Sequence, residues 1–99
     1  MDDIDVVIDA DLSDLVPGYL AHRERDLSEC WRMIDERNYC QIRRIGHNIK
    51  GSAGGFGFEK LSSIGKALER AAHKADQETI VCCLEELRNY LGHIKVHYR

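Results

Sequence analysis

A chain of 99 residues leaves room for one domain with a single hydrophobic core and excludes two such domains. Hydrophobic residues make up 43% of the chain and charged residues 31%, as in ordinary soluble globular proteins, and the net charge of −3 argues against nucleic acid as the main partner. No run of about 18 apolar residues is present, and the acidic start Met1-Asp2-Asp3 does not resemble a signal peptide, so we expect a cytoplasmic protein without a membrane partner.

The first ten residues alternate acidic and apolar side chains, as in the stretch from Asp3 to Asp9. This alternation fits a strand, but no other segment of the sequence is predicted to be β, so the strand has no obvious partner. We therefore predict that residues 1–10 form a mobile or loosely docked leader.

A helical lead-in is predicted to begin near Leu12 and to continue into a long helix that ends at about Arg37. Pro17 fits the first turn of this helix, where a backbone N–H is not needed. Arg23 falls among the apolar residues of its buried face, and we expect the Arg23 side chain to extend to the edge of that face. The apolar residues recur at helical spacing: Val16, Tyr19, Leu20, Leu27, Cys30, Trp31 and Ile34.

A second helix is predicted from about Tyr39 to Phe56, after a short turn at Asn38, and Gly57 is a natural stop for it. Its apolar residues are spaced by three or four positions: Ile42, Ile45, Ile49, Ala53 and Phe56.

Two more helices complete the predicted fold. The third begins at Phe58-Glu59-Lys60 and ends near Lys74, and Asp76 is expected to cap a fourth, whose apolar stripe reaches Tyr98. Because short connections between amphipathic helices make neighbours antiparallel, we predict an all-α, up-and-down four-helix bundle over residues 11–99.

His47 is the main candidate for chemistry, because it projects roughly opposite the apolar face of the second helix. Three cations and two glycines project within about 60° of it: Arg43, Arg44, Lys50, Gly51 and Gly54. A glycine inside a helix costs about 1 kcal/mol relative to alanine. Several glycines on one face therefore indicate that a large partner comes close to the His47 ring.

The residues around His47 fit phosphoryl transfer better than hydrolysis. A neutral imidazole is a good nucleophile toward phosphorus. No acidic residue lies one turn away on the helix, so we predict no orienting carboxylate beside His47. Lys50 suits the neutralisation of a phosphoryl group on the ring, and Arg43 and Arg44 add to the positive field and suit an acidic partner surface. Residue spacing alone also allows an alternative interpretation, in which residues Gly51 to Gly57 form a flexible loop and His47 is a surface histidine without a function.

The segment from His47 to Ala53 resembles the His-x-hydrophobic-Lys-Gly-small-small signature of histidine-containing phosphotransfer (HPt) domains. The residues that follow, 55–61 and 68–69, are also similar to that family, and the resemblance extends from about residue 11 to the end. Asn48 and Ile49 differ mildly from the usual residues, and the segment is richer in glycine than many members. The resemblance implies that His47 is the phosphoacceptor, that Lys50 helps to hold the phosphoryl group and that Gly51 leaves room for a docking receiver domain.

The function expected from this resemblance is relay of a phosphoryl group between receiver-domain aspartates in a multistep His–Asp phosphorelay. Response-regulator receiver domains and a hybrid sensor histidine kinase are the expected partners. We do not expect this protein to be an enzyme, since 99 residues leave no room for a kinase ATP-binding domain beside the bundle. We expect no cofactor, the magnesium ion belonging to the receiver, and a monomer.

Two alternatives remain at this point. The first is a helical docking module that binds a receiver domain and transfers no phosphoryl group. The second is a metal-binding bundle that uses histidines and cysteines, because His93 and His97 have a spacing that allows two ligands on one helical face. No third ligand is evident near that pair, and the four cysteines match no zinc pattern, so we predict reduced cysteines that act as small hydrophobic residues: Cys30, Cys40, Cys82 and Cys83.

Overall fold

Four α-helices and two short β-strands make up residues 3–99, the part of the chain that the computed structural model describes. The elements follow in this order: β1 (Ile4–Ile8), α1 (Val16–Asp35), α2 (Tyr39–Phe56), α3 (Glu59–His73), α4 (Gln77–His93) and β2 (Ile94–Tyr98). One turn of 3-10 helix, Ala10–Leu12, lies between β1 and α1. The prediction of four helices is confirmed.

Local chemistry sets the ends of α2. At its start the Asn38 side chain accepts a hydrogen bond from the backbone N–H of Gln41 at 3.3 Å, which satisfies one of the N–H groups that a first turn leaves free. At its end Gly57 has a φ of 98°, a left-handed conformation that glycine adopts without the steric cost of a side chain. The predicted bounds of this helix, Tyr39 and Phe56, are confirmed.

The helices enclose one apolar core, with α1 against α2 and α4, and with α3 against the same two helices. The α2–α3 pair has the most extensive contact, and these two helices run in opposite directions. Gly46, in the first half of α2, faces Glu69 near the end of α3, while Gly54, near the end of α2, faces Ser62 near the start of α3.

The C-terminal segment corrects two predictions. The last helix ends at His93 and not at Tyr98, because residues 94–98 form β2, which pairs in parallel with β1 from Ile4↔Ile94 to Ile8↔Tyr98. The fold is therefore not purely helical. The stripe that predicted a longer helix also fits a strand, since Ile94 and Val96 alternate with exposed residues.

β1 has the partner that the sequence analysis failed to identify. Ile8 is only 1% exposed and belongs to the main core cluster, so the described part of the leader is docked on the bundle through β1. The first two residues of the predicted leader, Met1 and Asp2, lie outside the described residues.

Arg23 is buried, at 7% exposure, and does not reach the edge of its helix face. Its charge is met inside the fold, since its Nε lies 2.8 Å from a carboxylate oxygen of Asp26 and its Nη1 donates to the Ser52 hydroxyl at 3.1 Å. The guanidinium also lies over the Tyr19 ring, 4.6 Å from its centroid. A buried cation is tolerated when such partners replace water.

Candidate functional site

His47 lies near the middle of α2 with its side chain 64% exposed. The isoleucines at positions 42, 45 and 49 of the same helix are buried in the core. Helical periodicity thus places the imidazole on the outer surface of the bundle, as predicted, and α2 remains helical through Phe56. The alternative interpretation, a flexible loop from Gly51 to Gly57, is therefore wrong.

A carboxylate from α3 holds the His47 ring. His47 Nδ1 lies 2.8 Å from Glu69 Oε2, and Lys50 Nζ donates to the other carboxylate oxygen, Glu69 Oε1, at 3.1 Å. The prediction that no orienting carboxylate lies beside His47 is wrong. It considered only acids one turn away on α2, whereas Glu69 is 22 positions along the chain.

These contacts determine which nitrogen of the neutral His47 ring carries the proton. The hydrogen bond from Lys50, followed by that from His47, holds the pKa of Glu69 below its ordinary value of 4.5, so the carboxylate is ionised at neutral pH. An ionised carboxylate accepts hydrogen bonds and cannot donate them. His47 Nδ1 therefore carries the proton of this bond, and in the neutral ring Nε2 has the free lone pair.

The close approach of α2 and α3 depends on two glycines. A Cβ atom on Gly46 would lie 2.6 Å from the backbone nitrogen of Glu69, and one on Gly65 would lie 2.6 Å from the backbone nitrogen of Lys50. Neither side of this crossing has space for a methyl group. The crossing explains Gly46, a glycine to which the sequence analysis assigns no role.

Hydrogen bonds hold α2 on both sides of Lys50. On the α3 side, the Ser62 hydroxyl donates to the Lys50 carbonyl at 2.7 Å. On the α1 side, the Ser52 hydroxyl donates to the Asn48 carbonyl at 2.7 Å and also accepts from Arg23. The backbone that carries His47 is thus fixed to both neighbouring helices.

An open cavity of about 310 Å³ lies beside His47. Its walls come from both helices: Cys40, Arg43, Arg44, His47 and Glu69. The predicted cations Arg43 and Arg44 therefore lie next to the imidazole. Cys40 and Cys82 are exposed, so their interpretation as small buried or half-buried hydrophobic residues is wrong, whereas Cys30 and Cys83 are buried.

A second open cavity, of about 470 Å³, shares Arg43 and Glu69 with the first and adds two residues from the end of α3 and the residue that follows it: Arg70, His73 and Lys74. Sequence reasoning missed these three residues. Their spacing on α3 places them on one side of that helix, but only the structure shows that this side borders His47.

The other residues predicted to surround His47 differ in their exposure and in their contacts. Lys50 is half-buried and bonded to Glu69, while Gly51 and Gly54 are exposed. An added Cβ on Gly51 would meet nothing within 4 Å, and one on Gly54 would meet only the Ser62 hydroxyl at 3.6 Å. Packing inside the protein therefore gives no reason for the absence of side chains at these two positions.

The histidines of the metal-binding alternative are not on one helix. His93 is the last residue of α4 and its Nδ1 donates to the Asn89 carbonyl at 2.8 Å, whereas His97 is on β2 and lies 2.9 Å from an Asp5 carboxylate oxygen. Within residues 3–99 no group of three or more histidine, cysteine, aspartate or glutamate side chains has the geometry of a metal site. Over the same residues, no helix has both the length and the apolar content that a membrane span needs.

Comparison with known proteins gives one match. The sequence fits the family model described as the Hpt domain over residues 10–96. No curated protein and no solved structure is significantly similar to the chain. The family match begins after β1, and it contains all four helices and every residue that lines the two cavities.

Proposed function

The chain belongs to the Hpt domain family, and from this we propose that His47 carries a phosphoryl group between receiver-domain aspartates. At the level of the family, Hpt domains are phosphotransfer modules of phosphorelays, they interact with receiver domains, and they are not kinases. The assignment of that role to His47 is our own.

One observation carries the proposal: an exposed imidazole whose Nδ1 proton is bonded to Glu69, so that Nε2 is the free nucleophile. The Nε2 lone pair attacks the phosphorus of an aspartyl phosphate, and an N–P bond forms as the bond from phosphorus to the aspartate oxygen breaks. The electron pair of the broken bond leaves with the aspartate carboxylate. The phosphorylated ring keeps its Nδ1 proton and is cationic, and the ionised Glu69 carboxylate stabilises this charge.

The other residues around His47 have separate roles in this reaction: charge balance and docking of the partner. Lys50, bonded to Glu69 at 3.1 Å, is close enough to balance the charge of the phosphoryl group. Arg43 and Arg44 line the cavity beside the ring and face an acidic partner, while the open space above Gly51 and Gly54 admits its backbone. The magnesium ion belongs to the receiver domain in this proposal, and this chain needs no cofactor.

The wider setting is also part of the proposal. We place the protein in the cytoplasm as a monomer, with response-regulator receiver domains and a hybrid sensor histidine kinase as partners. We further propose an up-and-down arrangement of all four helices, which the opposite directions of α2 and α3 support.

The test is incubation with receiver domains that carry radioactive phosphate on their aspartate. We expect wild-type protein to acquire phosphate that is labile in acid and stable in alkali, and His47→Gln to acquire none. His22→Gln is the matched control, because His22 is exposed on α1 and outside the site, and it should be labelled like the wild type. Equal labelling of His47→Gln and wild type would refute the proposal.

The second candidate is a docking module without phosphotransfer, which the open space above Gly51 favours equally. Under this alternative no receiver domain labels the wild type, although it still binds. A Gly51→Leu substitution should weaken receiver binding under both candidates, because the new side chain fills the space where the partner docks. Labelling of the wild type at His47 therefore decides between them.

A further inference from the structure

Four cations on the His47 side of the bundle form no ion pair within residues 3–99: Arg43, Arg44, Arg70 and Lys74. All four are exposed, and they line the two cavities beside His47. Among the described residues, Glu69 is the only acidic one that lines those cavities, and both of its oxygens are already bonded, to His47 and Lys50. The positive charge of these four residues is thus left without a partner inside the described part of the protein.

The surface around His47 has two unlike parts. On one side lie the basic side chains of the second cavity together with Arg44, which we call the basic half: Arg43, Arg44, Arg70, His73 and Lys74. On the other side, toward the end of α2, lie the exposed glycines that we call the glycine half: Gly51, Gly54 and Gly55. Because α2 and α3 are antiparallel, the end of α3 lies beside the first half of α2, and this brings together the four cations that form no ion pair within residues 3–99.

The positive charge of the basic half is opposite in sign to the net charge of the whole chain, which is −3. Local charge of this kind steers an oppositely charged surface during diffusion and raises association rates from about 10⁵–10⁶ to as much as 10⁸–10⁹ M⁻¹s⁻¹ at low salt. The two cavities are open and share Arg43 and Glu69, so together they form one extended surface. An extended surface fits a segment of a protein better than a small anion.

We infer that the basic half recognises an acidic segment of the receiver domain beside its phosphoaspartate, and that it fixes the orientation of the docked partner. The acidic segment lies over the end of α3, and the backbone of the receiver lies over the glycine half. This inference rests on the proposed function for the identity of the partner. It adds that three residues at the C-terminal end of α3 and directly after it, absent from the motif around His47, select which receiver domains dock.

The test measures association without chemistry. The probe is a beryllofluoride-activated receiver domain, chosen as the one that binds the wild type most tightly, and the protein carries His47→Gln in every variant. The test variant adds Arg70→Glu and Lys74→Glu. The matched control adds Arg88→Glu and Lys95→Glu, which make the same change of charge at exposed positions on α4 and β2.

We expect the Arg70→Glu, Lys74→Glu variant to associate at least about tenfold more slowly in 50 mM NaCl, and to lose most of the salt dependence of the association rate. The control should stay within about twofold of its parent. An Arg70→Gln, Lys74→Gln variant removes the two charges without reversing them and should give an intermediate rate. Because it contains no new glutamate, it also shows whether the slower association of the test variant comes from a folding defect.

Four results separate this inference from the proposed function. Equal slowing of the test and control variants would overturn the inference, because net charge alone would then explain the effect. An association rate of the His47→Gln parent that does not change with salt would overturn it as well. If the rates follow the basic half but no receiver domain labels His47, the inference stands for docking and the phosphotransfer role fails. If no receiver domain labels or binds the wild type, both fail.

Discussion

At the scale of single residues, the Glu69 carboxylate joins the nucleophile and the lysine of the proposed reaction. One oxygen orients the His47 ring and the other holds Lys50, so the two side chains are positioned relative to each other before any partner arrives. A side chain that already occupies its reactive geometry loses little entropy in the reaction. Glu69 acts through His47 and is therefore a positioning residue.

The acid–base behaviour of Glu69 provides a test of this network. The hydrogen bond from Lys50 is the largest cause of its lowered pKa, so Lys50→Ala should move the Glu69 titration up toward its ordinary value of 4.5. The stabilisation of the fold by ionised Glu69 should be fully present above pH 4.5 and be lost as the pH falls through the lower pKa of the folded state. A carbon NMR titration of the carboxyl group in both proteins measures the two midpoints. Identical midpoints would show that Lys50 does not interact with this carboxylate in solution.

Sequence reasoning predicted the residues of α2 better than the residues that meet them from α3. The exposure of His47 follows from the period of the isoleucines on one helix, because a helix fixes the relative directions of its own side chains. The contact with Glu69 spans two helices and depends on their rotation about their axes. Residue spacing within one helix orients that helix toward the core but does not give the level at which a neighbouring helix meets it, so Glu69, Arg70 and Lys74 were not predicted as part of the site.

At the scale of elements, the crossing of α2 and α3 sets the distance between His47 and Glu69. The backbones touch at Gly46 and Gly65, and any side chain there pushes the helices apart. The penalty for glycine in a helix is then offset by closer packing and by the geometry of the site one turn away.

A Gly65→Ala substitution tests the role of this crossing. A Cβ at 2.6 Å from the Lys50 nitrogen must displace backbone, so we expect a loss of about 1–3 kcal/mol in the free energy of unfolding. The shift of the helices should also weaken the bond between His47 and Glu69, so that the pKa of Glu69 rises. Gly92→Ala is the control, because Gly92 is on α4 with nothing within 4 Å of an added Cβ, and it should be neutral or stabilise by up to about 1 kcal/mol. Urea denaturation of both variants gives the free energies, and a Gly65→Ala protein as stable as the wild type would contradict the close crossing.

The segment at residues 94–98 shows where prediction of elements fails. Its apolar residues continue the helical stripe of α4, and they also alternate as a strand requires. A short segment that satisfies both periods is assigned by its tertiary partner. That partner, β1, lies at the other end of the chain, and the choice could not be made from local sequence.

At the scale of the whole molecule, the two-stranded sheet and the helices have separable roles. The family match starts at residue 10, so β1 lies outside it. Ile8 nevertheless lies in the main core and would be 3.7 Å from a Cβ on Gly57, at the end of α2. The sheet therefore adds to the stability of the bundle and contributes no residue to the cavities beside His47.

An Ile8→Ala substitution should separate these roles. We expect the free energy of unfolding to fall by about 2–5 kcal/mol, because the substitution leaves a cavity at a fully buried position. Below its melting temperature the variant should accept phosphate from a receiver domain at the wild-type rate. Val7→Ala is the control, since Val7 is an exposed neighbour on the same strand. A lower phosphotransfer rate in a folded Ile8→Ala protein would mean that β1 takes part in the function.

The pairing of β1 with β2 also has a consequence for synthesis on the ribosome. Each residue of β1 pairs with one made 90 positions later, which at about 5–20 residues per second is a delay of several seconds. During that time Ile4, Val6 and Ile8 have no sheet to join and form a short apolar segment of the kind that aggregates. Aspartates alternate with these apolar residues, for example Asp5 and Asp9, and give the segment negative charge until β2 has been synthesised. Such charges act as gatekeepers against association between nascent chains, which gives the acidic alternation at the start of the sequence a role before the fold exists.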